Sequence, residues 1–407
     1  MQELKFGTDG IRGEAGVFPI TPQIIQRIAF AAAHLFSHPK VLLGKDTRIS
    51  GEWISQALTT GFLKGGATVI NGGTMPTAAV SCEVAQAKLD LGVMITASHN
   101  PYQDNGIKLF GTEGKKLSPE MQSQLLQNYV ADLPERSNGK VINSDSALQT
   151  WRTALPSPNL TGLKILLDCA HGAAAYVAPD YLESLGAEVV RQGCSPNGNN
   201  INLKVGALHP PTDLDGCDLA ICLDGDADRV VLIDPQHGIL DGDDILWILR
   251  TLAPGPIIGT VMSNGGLEEA LENRLIRTQV GDSNVAAAMQ EYNAGIGAEP
   301  SGHVLFSDGL PTGDGLYAAL RLIEHAGRPP YDIAGWDRWP ICKQNIRYTG
   351  SQIDLNILKS TQAAQKNGQR VIIRYSGTEP VLRIQVEGTD AQKWLQAIVT
   401  EYMQLQE

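Results

Sequence analysis

The sequence predicts an α/β fold: three tandem α/β units with mixed, mostly parallel sheets, followed by a smaller α+β unit. Three observations predict it. Strand and helix patterns alternate over most of the chain, as in sheets covered by helices on their faces. The pattern restarts after breaks rich in proline and glycine, at Pro156, Pro158 and Gly162 and again at Pro254-Gly255-Pro256. Beyond Arg328-Pro329-Pro330 the texture changes to closely spaced strands. These breaks divide the chain into 1–150, 151–250, 251–336 and 337–407.

In the first unit Thr21-Pro22 starts a helix, with the proline at the first helical position. Ile24, Ile25, Ile28, Ala32 and Leu35 then recur at helical spacing. Val41-Leu42-Leu43 reads as a short buried strand, Glu52 to Lys64 as a helix, and Thr68-Val69-Ile70 as the next strand. A helix near Ala78 to Ala87 precedes a strand from Leu91 to Thr96. The second unit has a strand Lys164 to Leu167, a helix Ala174 to Leu185 and an apolar strand Leu219 to Leu223. The third opens with a strand Ile257 to Val261 and continues with helices near Leu267 to Arg274 and Val285 to Tyr292. The last carries strands Arg370 to Tyr375 and Val381 to Glu387 and a closing helix from Ala391.

A length of 407 residues exceeds one ordinary core, which is why several units are expected. Hydrophobic content of 43% with 19% charged residues describes a packed protein rather than a disordered one. The net charge of -12 argues against nucleic acid or an anionic membrane as partner, since phosphate backbones demand basic surfaces. Met1 to Gly7 has no apolar signal core, and no run of roughly 18 apolar residues suggests a membrane span. The six cysteines form no CxxC pair, which favours reduced thiols over disulfides or a zinc site. The cytoplasm is the expected address.

Five segments carry candidate chemistry. Asp224-Gly225-Asp226-Ala227-Asp228-Arg229 follows a buried strand, and three carboxylates at alternate positions can converge on one hard cation such as Mg²⁺. An EF-hand fails here, because Arg229 takes the glycine position and Pro235 the glutamate position. Thr96-Ala97-Ser98-His99-Asn100-Pro101 lies at the carboxyl end of a strand, where ligands bind open α/β sheets, so Ser98 is a candidate nucleophile or phosphoryl carrier. Lys108, beyond the Asp104-Asn105-Gly106 turn, is a candidate proton donor or phosphate partner. Arg374-Tyr375-Ser376-Gly377-Thr378, with Arg383, offers backbone N–H groups, hydroxyls and guanidinium forks to a phosphate. Glu299, Ser301 and His303 can read sugar hydroxyls and move a proton. The glycine-rich Phe6 to Gly13 loop would let Arg12 approach an anion. Taken singly, each segment also reads as an ordinary turn or a solvated charge. Jointly they describe phosphoryl transfer on a phosphorylated polyol, and the absence of GxxxxGK[ST] excludes a P-loop enzyme.

On these motifs, in this order along the whole chain, the sequence resembles the α-D-phosphohexomutase superfamily. Phe6-Gly-Thr-Asp-Gly-Ile-Arg-Gly13 makes it most similar to the bacterial phosphoglucosamine mutases. The resemblance implies four domains around a central cleft and a Ser98 phosphorylated in the active enzyme. Asp224, Asp226 and Asp228, with the Ser98 phosphate, would hold one Mg²⁺ per chain. Lys108 and His303 would be acid and base, and Arg12, His99 and Arg229 would line the phosphoryl site. Glu299 and Ser301 would hold sugar hydroxyls, while Arg374, Ser376, Gly377, Thr378 and Arg383 would grip the phosphate at rest. The implied reaction interconverts glucosamine 6-phosphate and glucosamine 1-phosphate, with glucose or glucosamine 1,6-bisphosphate as activator. It feeds UDP-N-acetylglucosamine and cell-wall synthesis. Small sugar phosphates are the implied partners, and a monomer or homodimer the implied state. A phosphomannomutase or phosphoglucomutase is the alternative.

Three segments depart from the family pattern. Pro300 stands where the family has glutamine in the sugar loop. Gly281-Asp282-Ser283-Asn284-Val285 replaces Gly-Asp-Arg-Tyr-Val, and Gly206-Ala207-Leu208-His209 replaces Gly-Ser-Thr-His.

Overall fold

The computed structural model describes residues 4, 7, 10–253, 255–348, 351–376 and 380–406. They form two compact bodies. The larger comprises Met1–Met262 with Ile276–Asp332, and the smaller Ser263–Leu275 with Ile333–Glu407.

The first sheet has six strands: β1 (Ile11–Glu14), β2 (Lys40–Lys45), β3 (Thr68–Thr74), β4 (Leu91–Ile95), β5 (Asp104–Phe110) and β6 (Lys140–Asn143). Their spatial order is β1-β5-β4-β2-β3-β6. β4, β2, β3 and β6 run parallel, and β5 turns back antiparallel between β4 and β1. The central strand β4 is covered on both faces and reads Leu-Gly-Val-Met-Ile with every residue buried, whereas the edge strand β6 is exposed along its length. The helix Pro22–Ala33 has proline in its first turn and buries Ile25, Ile28 and Phe30. Against it packs the helix Gly51–Lys64. Each such aliphatic side chain, fully removed from water, contributes roughly 1.5–3 kcal/mol.

The second sheet holds β7 (Lys164–Asp168), β8 (Glu188–Gln192), β9 (Leu219–Leu223), β10 (Val230–Asp234) and β11 (Gly238–Leu240), ordered β11-β10-β9-β7-β8. β9 and β10 form an antiparallel pair with Leu223 opposite Val230, so the acidic segment is the turn of a buried hairpin. The expected helix Ala174 to Leu185 is shorter, Ala178–Ser184. Pro179 has no N–H to donate and stands in the first turn, which sets the helix start. The third sheet contains β12 (Ile257–Thr260), β13 (Leu275–Thr278), β14 (Ile296–Ala298) and β15 (Val304–Phe306), ordered β13-β12-β14-β15. The helix expected at Leu267 to Arg274 is Gly265–Ala270, because Glu272 and Asn273 take positive φ and end the helical backbone.

The smaller body is an antiparallel sheet of β16 (Ile341–Arg347), β17 (Arg370–Tyr375) and β18 (Val381–Glu387), with β18 central. Leu382, Ile384, Val386, Leu395, Ile398 and Tyr402 form its core with the closing helix Ala391–Gln406. Buried Glu387 accepts from Arg370 Nη1 at 2.7 Å and from Gly265 N at 2.8 Å. The three α/β units and the α+β unit are thus present. All six cysteines are free thiols. No helix among the described residues is long and apolar enough to cross a membrane.

Candidate active site

The site begins where β4 ends. Ser98 is fully buried and takes φ 51°, a left-handed conformation that a side-chain-bearing residue seldom adopts. Its N–H donates to Thr96 Oγ1 at 2.9 Å, and its hydroxyl donates to Asp224 Oδ2 at 2.6 Å. The β9–β10 turn comes this close because Gly225 has no side chain: a Cβ there would stand 2.5 Å from the Ser98 carbonyl oxygen.

Asp224, Asp226 and Asp228 are all buried, and one oxygen from each lies within 4.8 Å of the others. Asp226 Oδ1 and Asp228 Oδ1 are buried without a hydrogen-bond partner. Orphaned anionic oxygens are costly, and three converging carboxylates are the donor set a hard cation prefers, so the residues present fit Mg²⁺. Burial, helped by the charges of Asp228 and Asp226, pushes Asp224 up to about 8.

Lys108, on β5 and 1% exposed, donates to Asp226 Oδ2 and Asp228 Oδ2 at 2.6 Å each. Burial alone would lower its pKa, but the Asp226 and Asp228 carboxylates outweigh it and hold the ammonium above its usual range. Asp228 is buried too, yet Lys108 and His303 keep it well below the usual carboxylate range. His303, from the β14–β15 turn, sets Nδ1 3.8 Å from Asp228 Oδ1, an ion-pair distance rather than a hydrogen bond. Its Nε2 stands 3.5 Å from Asp282 Oδ2, and Asp282 pairs with Lys116 at 2.7 Å. Burial lowers the His303 pKa, but Asp228 and Asp282 raise it on balance.

Arg12, His99, Arg229 and Glu299 lie within electrostatic reach of this cluster or of one another. Arg12 is not on a flexible loop: it sits on β1 opposite Gly106 of β5, in strand geometry. Arg229 donates its N–H to Asp224 Oδ1 at 3.3 Å and sets Nε 3.8 Å from Asp228 Oδ1. Burial, then the charges of Arg229 and Arg12, push His99 down to about 4, so it is neutral at physiological pH. Glu299 accepts from Gly281 N at 2.9 Å, and Ser301 is exposed at the tip of the same turn.

In the smaller body Arg374 and Arg383 stand directly opposite one another on β17 and β18, both exposed. Ser376 N donates to Val381 O at 2.8 Å. Gly377 and Thr378 lie outside the described residues.

Several residues of the site were not singled out from the sequence. Asp46 and Arg48, beyond β2, support the Ser98 loop, as does Asn202. Thr77 Oγ1 donates to Asp226 Oδ2, and Lys116 and Asp282 extend the charge chain past His303. The signal for the first two was present: Lys45-Asp46-Thr47-Arg48 puts polar residues at the carboxyl end of a buried strand, as Thr96 to Ser98 does. Ser283 and Asn284 open the helix Asp282–Glu291, where Asn284 Nδ2 donates to Val280 O at 2.9 Å.

Four family domains match in order. Residues 3–135, 147–238 and 241–334 match phosphoglucomutase/phosphomannomutase alpha/beta/alpha domains I, II and III, and 360–404 match the C-terminal domain. Phosphoglucosamine mutase of Rhizobium rhizogenes is 40% identical over 96% of this chain and 95% of the relative. That of Syntrophotalea carbinolica is also 40% identical, over 96% of this chain and 94% of the relative. Among solved structures, a phosphoglucomutase/phosphomannomutase family protein from Burkholderia thailandensis shares the fold at a TM-score of 0.77 and 23% identity, covering 98% and 96% of the two chains. Aspergillus fumigatus N-acetylphosphoglucosamine mutase, solved with GlcNAc-6P and magnesium, gives 0.66 at 16% identity over 99% and 95%. The chain belongs to the α-D-phosphohexomutase superfamily and, within it, groups with the phosphoglucosamine mutases.

Proposed function

We propose that this chain interconverts glucosamine 6-phosphate and glucosamine 1-phosphate through phosphorylated Ser98 and an enzyme-bound 1,6-bisphosphate. The observation that carries the reading is the Ser98 hydroxyl, 2.6 Å from Asp224 in a buried triad that Lys108 bridges. A buried serine, three carboxylates and a lysine in one cluster suit group transfer better than sugar binding alone.

The sugar O1 attacks phosphorus as the bond from phosphorus to Ser98 Oγ breaks. Ser98 later recovers the phosphoryl group from O6, leaving glucosamine 1-phosphate. Lys108 and His303, the protonatable groups beside the triad, serve as acid and base for Oγ and the sugar hydroxyl. Arg12 and Arg229 supply positive charge where phosphate oxygens gather, and His99, neutral, lines the site. Asp224, Asp226 and Asp228 would hold one Mg²⁺ per chain, which neutralises charge on the phosphoryl group in transit. Glu299 and Ser301 hold sugar hydroxyls. Arg374, Ser376, Gly377, Thr378 and Arg383 grip the phosphate at rest. Arg374 and Arg383 stand on directly opposed positions of neighbouring strands, which lets both guanidinium groups serve one phosphate. We place the working divisions at 1–150, 151–250, 251–336 and 337–407, in a cytoplasmic monomer or homodimer charged by glucose or glucosamine 1,6-bisphosphate.

Phosphorus NMR with Mg²⁺, a trace of glucose 1,6-bisphosphate and glucosamine 6-phosphate tests this, with glucose and mannose 6-phosphates in parallel. Fastest growth of glucosamine 1-phosphate is expected. A faster glucose or mannose reaction would move the substrate assignment, and release of inorganic phosphate alone would refute the mutase. Ser98→Ala should lose several decades of rate, on the order of losing a catalytic nucleophile.

A further inference from the structure

Arg48 lies just beyond β2 and is 3% exposed. A guanidinium has five N–H donors, and every one is in use here. Nε donates to Asp46 Oδ2 at 2.8 Å; Nη1 donates to the carbonyls of Pro101 and, at 3.0 Å, Asp104; Nη2 donates to those of Ser98 at 2.9 Å and Asn100 at 2.8 Å. Asp46 is fixed in turn, accepting from Thr96 Oγ1 at 2.7 Å and from Arg48 N at 3.0 Å. Asn202 Nδ2 also donates to the same two carbonyls, Ser98 at 2.8 Å and Asn100 at 2.9 Å.

These bonds bear on the conformation of Ser98. A left-handed backbone at a non-glycine residue is costly and persists only where its surroundings over-determine it. Two side chains that tie the same pair of carbonyls supply that constraint. With its carbonyl held on one side, Ser98 turns its hydroxyl toward Asp224.

We infer that Arg48 is a positioning residue for phosphoryl transfer: it clamps the carbonyls of the 98–104 loop so that Ser98 Oγ is aimed at the acidic triad. It touches neither phosphate nor sugar, because no donor remains for them. That separates it from Arg12 and Arg229. The inference rests on the mutase reading above and adds a residue to it. Lysine has three donors and no planar fork, so Arg48→Lys keeps at most three of the five bonds. A shift of the reacting oxygen by about 1 Å costs on the order of 10²-fold in rate.

The test compares the full-length wild type with Arg48→Lys, Arg48→Ala, Asn202→Asp and Ser98→Ala. It reads kcat, KM for glucosamine 6-phosphate, and the rate at which glucose 1,6-bisphosphate adds 80 Da to Ser98, followed by intact mass as roughly one phosphoryl per chain. Arg48→Lys should lose roughly 10²-fold in kcat and in Ser98 phosphorylation, with KM changed by less than about threefold. Asn202→Asp, which sets an oxygen against the same carbonyls, should show the same pattern. Guanidinium added to Arg48→Ala should restore roughly tenfold of both rates, and methylammonium should not. A raised KM at constant kcat would overturn the inference, as would no guanidinium rescue in a variant that melts like wild type. Should Arg48→Ala fail to fold, full kcat in both Arg48→Lys and Asn202→Asp would overturn it equally. Turnover by Ser98→Ala would refute the mutase reading and this inference together, whereas wild-type turnover with full kcat in Arg48→Lys refutes only the clamp.

Discussion

Lys108→Met removes a side chain that bridges two members of the acidic triad. Its ammonium is 1% exposed and lies 2.6 Å from Asp226 and from Asp228, whose side chains are 0% and 5% exposed. Methionine fills the volume without the charge. Deleting one partner of a buried pair typically costs about 3–5 kcal/mol. Proton uptake limits the loss: once a stranded carboxyl rises above neutrality it is protonated, which caps its cost at pH 7 near 1.36 × (7 − 3.9), about 4 kcal/mol. The metal-free variant should therefore be roughly 3–4 kcal/mol less stable than wild type. At about 2.1 cal/mol/K per residue the 407-residue chain has an unfolding entropy near ~0.85 kcal/mol/K, so that is a fall in Tm of roughly 4–5 °C. Mg²⁺ should then act more strongly on the variant, since no ammonium neutralises the same two carboxylates. Each tenfold gain in affinity adds about 1.4 kcal/mol at saturating metal. Scanning calorimetry of both proteins, with a chelator and with millimolar Mg²⁺, measures the two effects separately from catalysis. Equal melting of the metal-free proteins, or an equal response to Mg²⁺, would refute the view that Lys108 balances the triad.

Two other perturbations test the geometry. Gly225→Ala would put a methyl 2.5 Å from the Ser98 carbonyl oxygen and 2.9 Å from Asn202 Nδ2, so kcat should fall roughly 10- to 100-fold at a stability cost of about 1–3 kcal/mol. Unchanged kcat would show that the two turns can part without consequence. Asp314, buried at the start of the helix Gly315–Ala326, is pushed by burial up to about 6 from an ordinary 3.8. The native state thus holds that proton more tightly than the unfolded chain does. Its contribution favours folding most below pH 4, weakens as pH rises to about 6, and stays lower above, a loss on the order of 3 kcal/mol. In Asp314→Asn that component of the pH dependence should vanish, although the Trp151 indole N–H loses its acceptor. Urea unfolding from pH 4 to 7 checks it, and a variant with the wild-type slope would refute the assignment.

Much of this architecture was legible in the sequence because continuous apolar runs have one stable home. Leu219–Leu223, Arg370–Tyr375 and Val381–Glu387 form strands with the expected ends. The triad and Ser98 were legible because each sits at the carboxyl end of such a run. The clamp was harder to see. Arg48 reaches carbonyls at 98 to 104, and a bond to a carbonyl leaves no trace in the acceptor's residue type. The link from Lys116 through Asp282 to His303 joins three separated segments, none with an unusual local composition. Pro179 shows the opposite case, where one residue's backbone preference overrode a helical pattern, and at Glu272 and Asn273 the chain turns left-handed and ends the helix against its apolar pattern.

The left-handed backbone at Ser98 also bears on how such a chain can drift. Glycine occupies that region without steric penalty, so a single exchange there would relieve the backbone while removing the hydroxyl that donates to Asp224. A homologue that keeps the Arg48 and Asn202 contacts but has glycine at this position would hold the same loop without the hydroxyl that the proposed transfer requires.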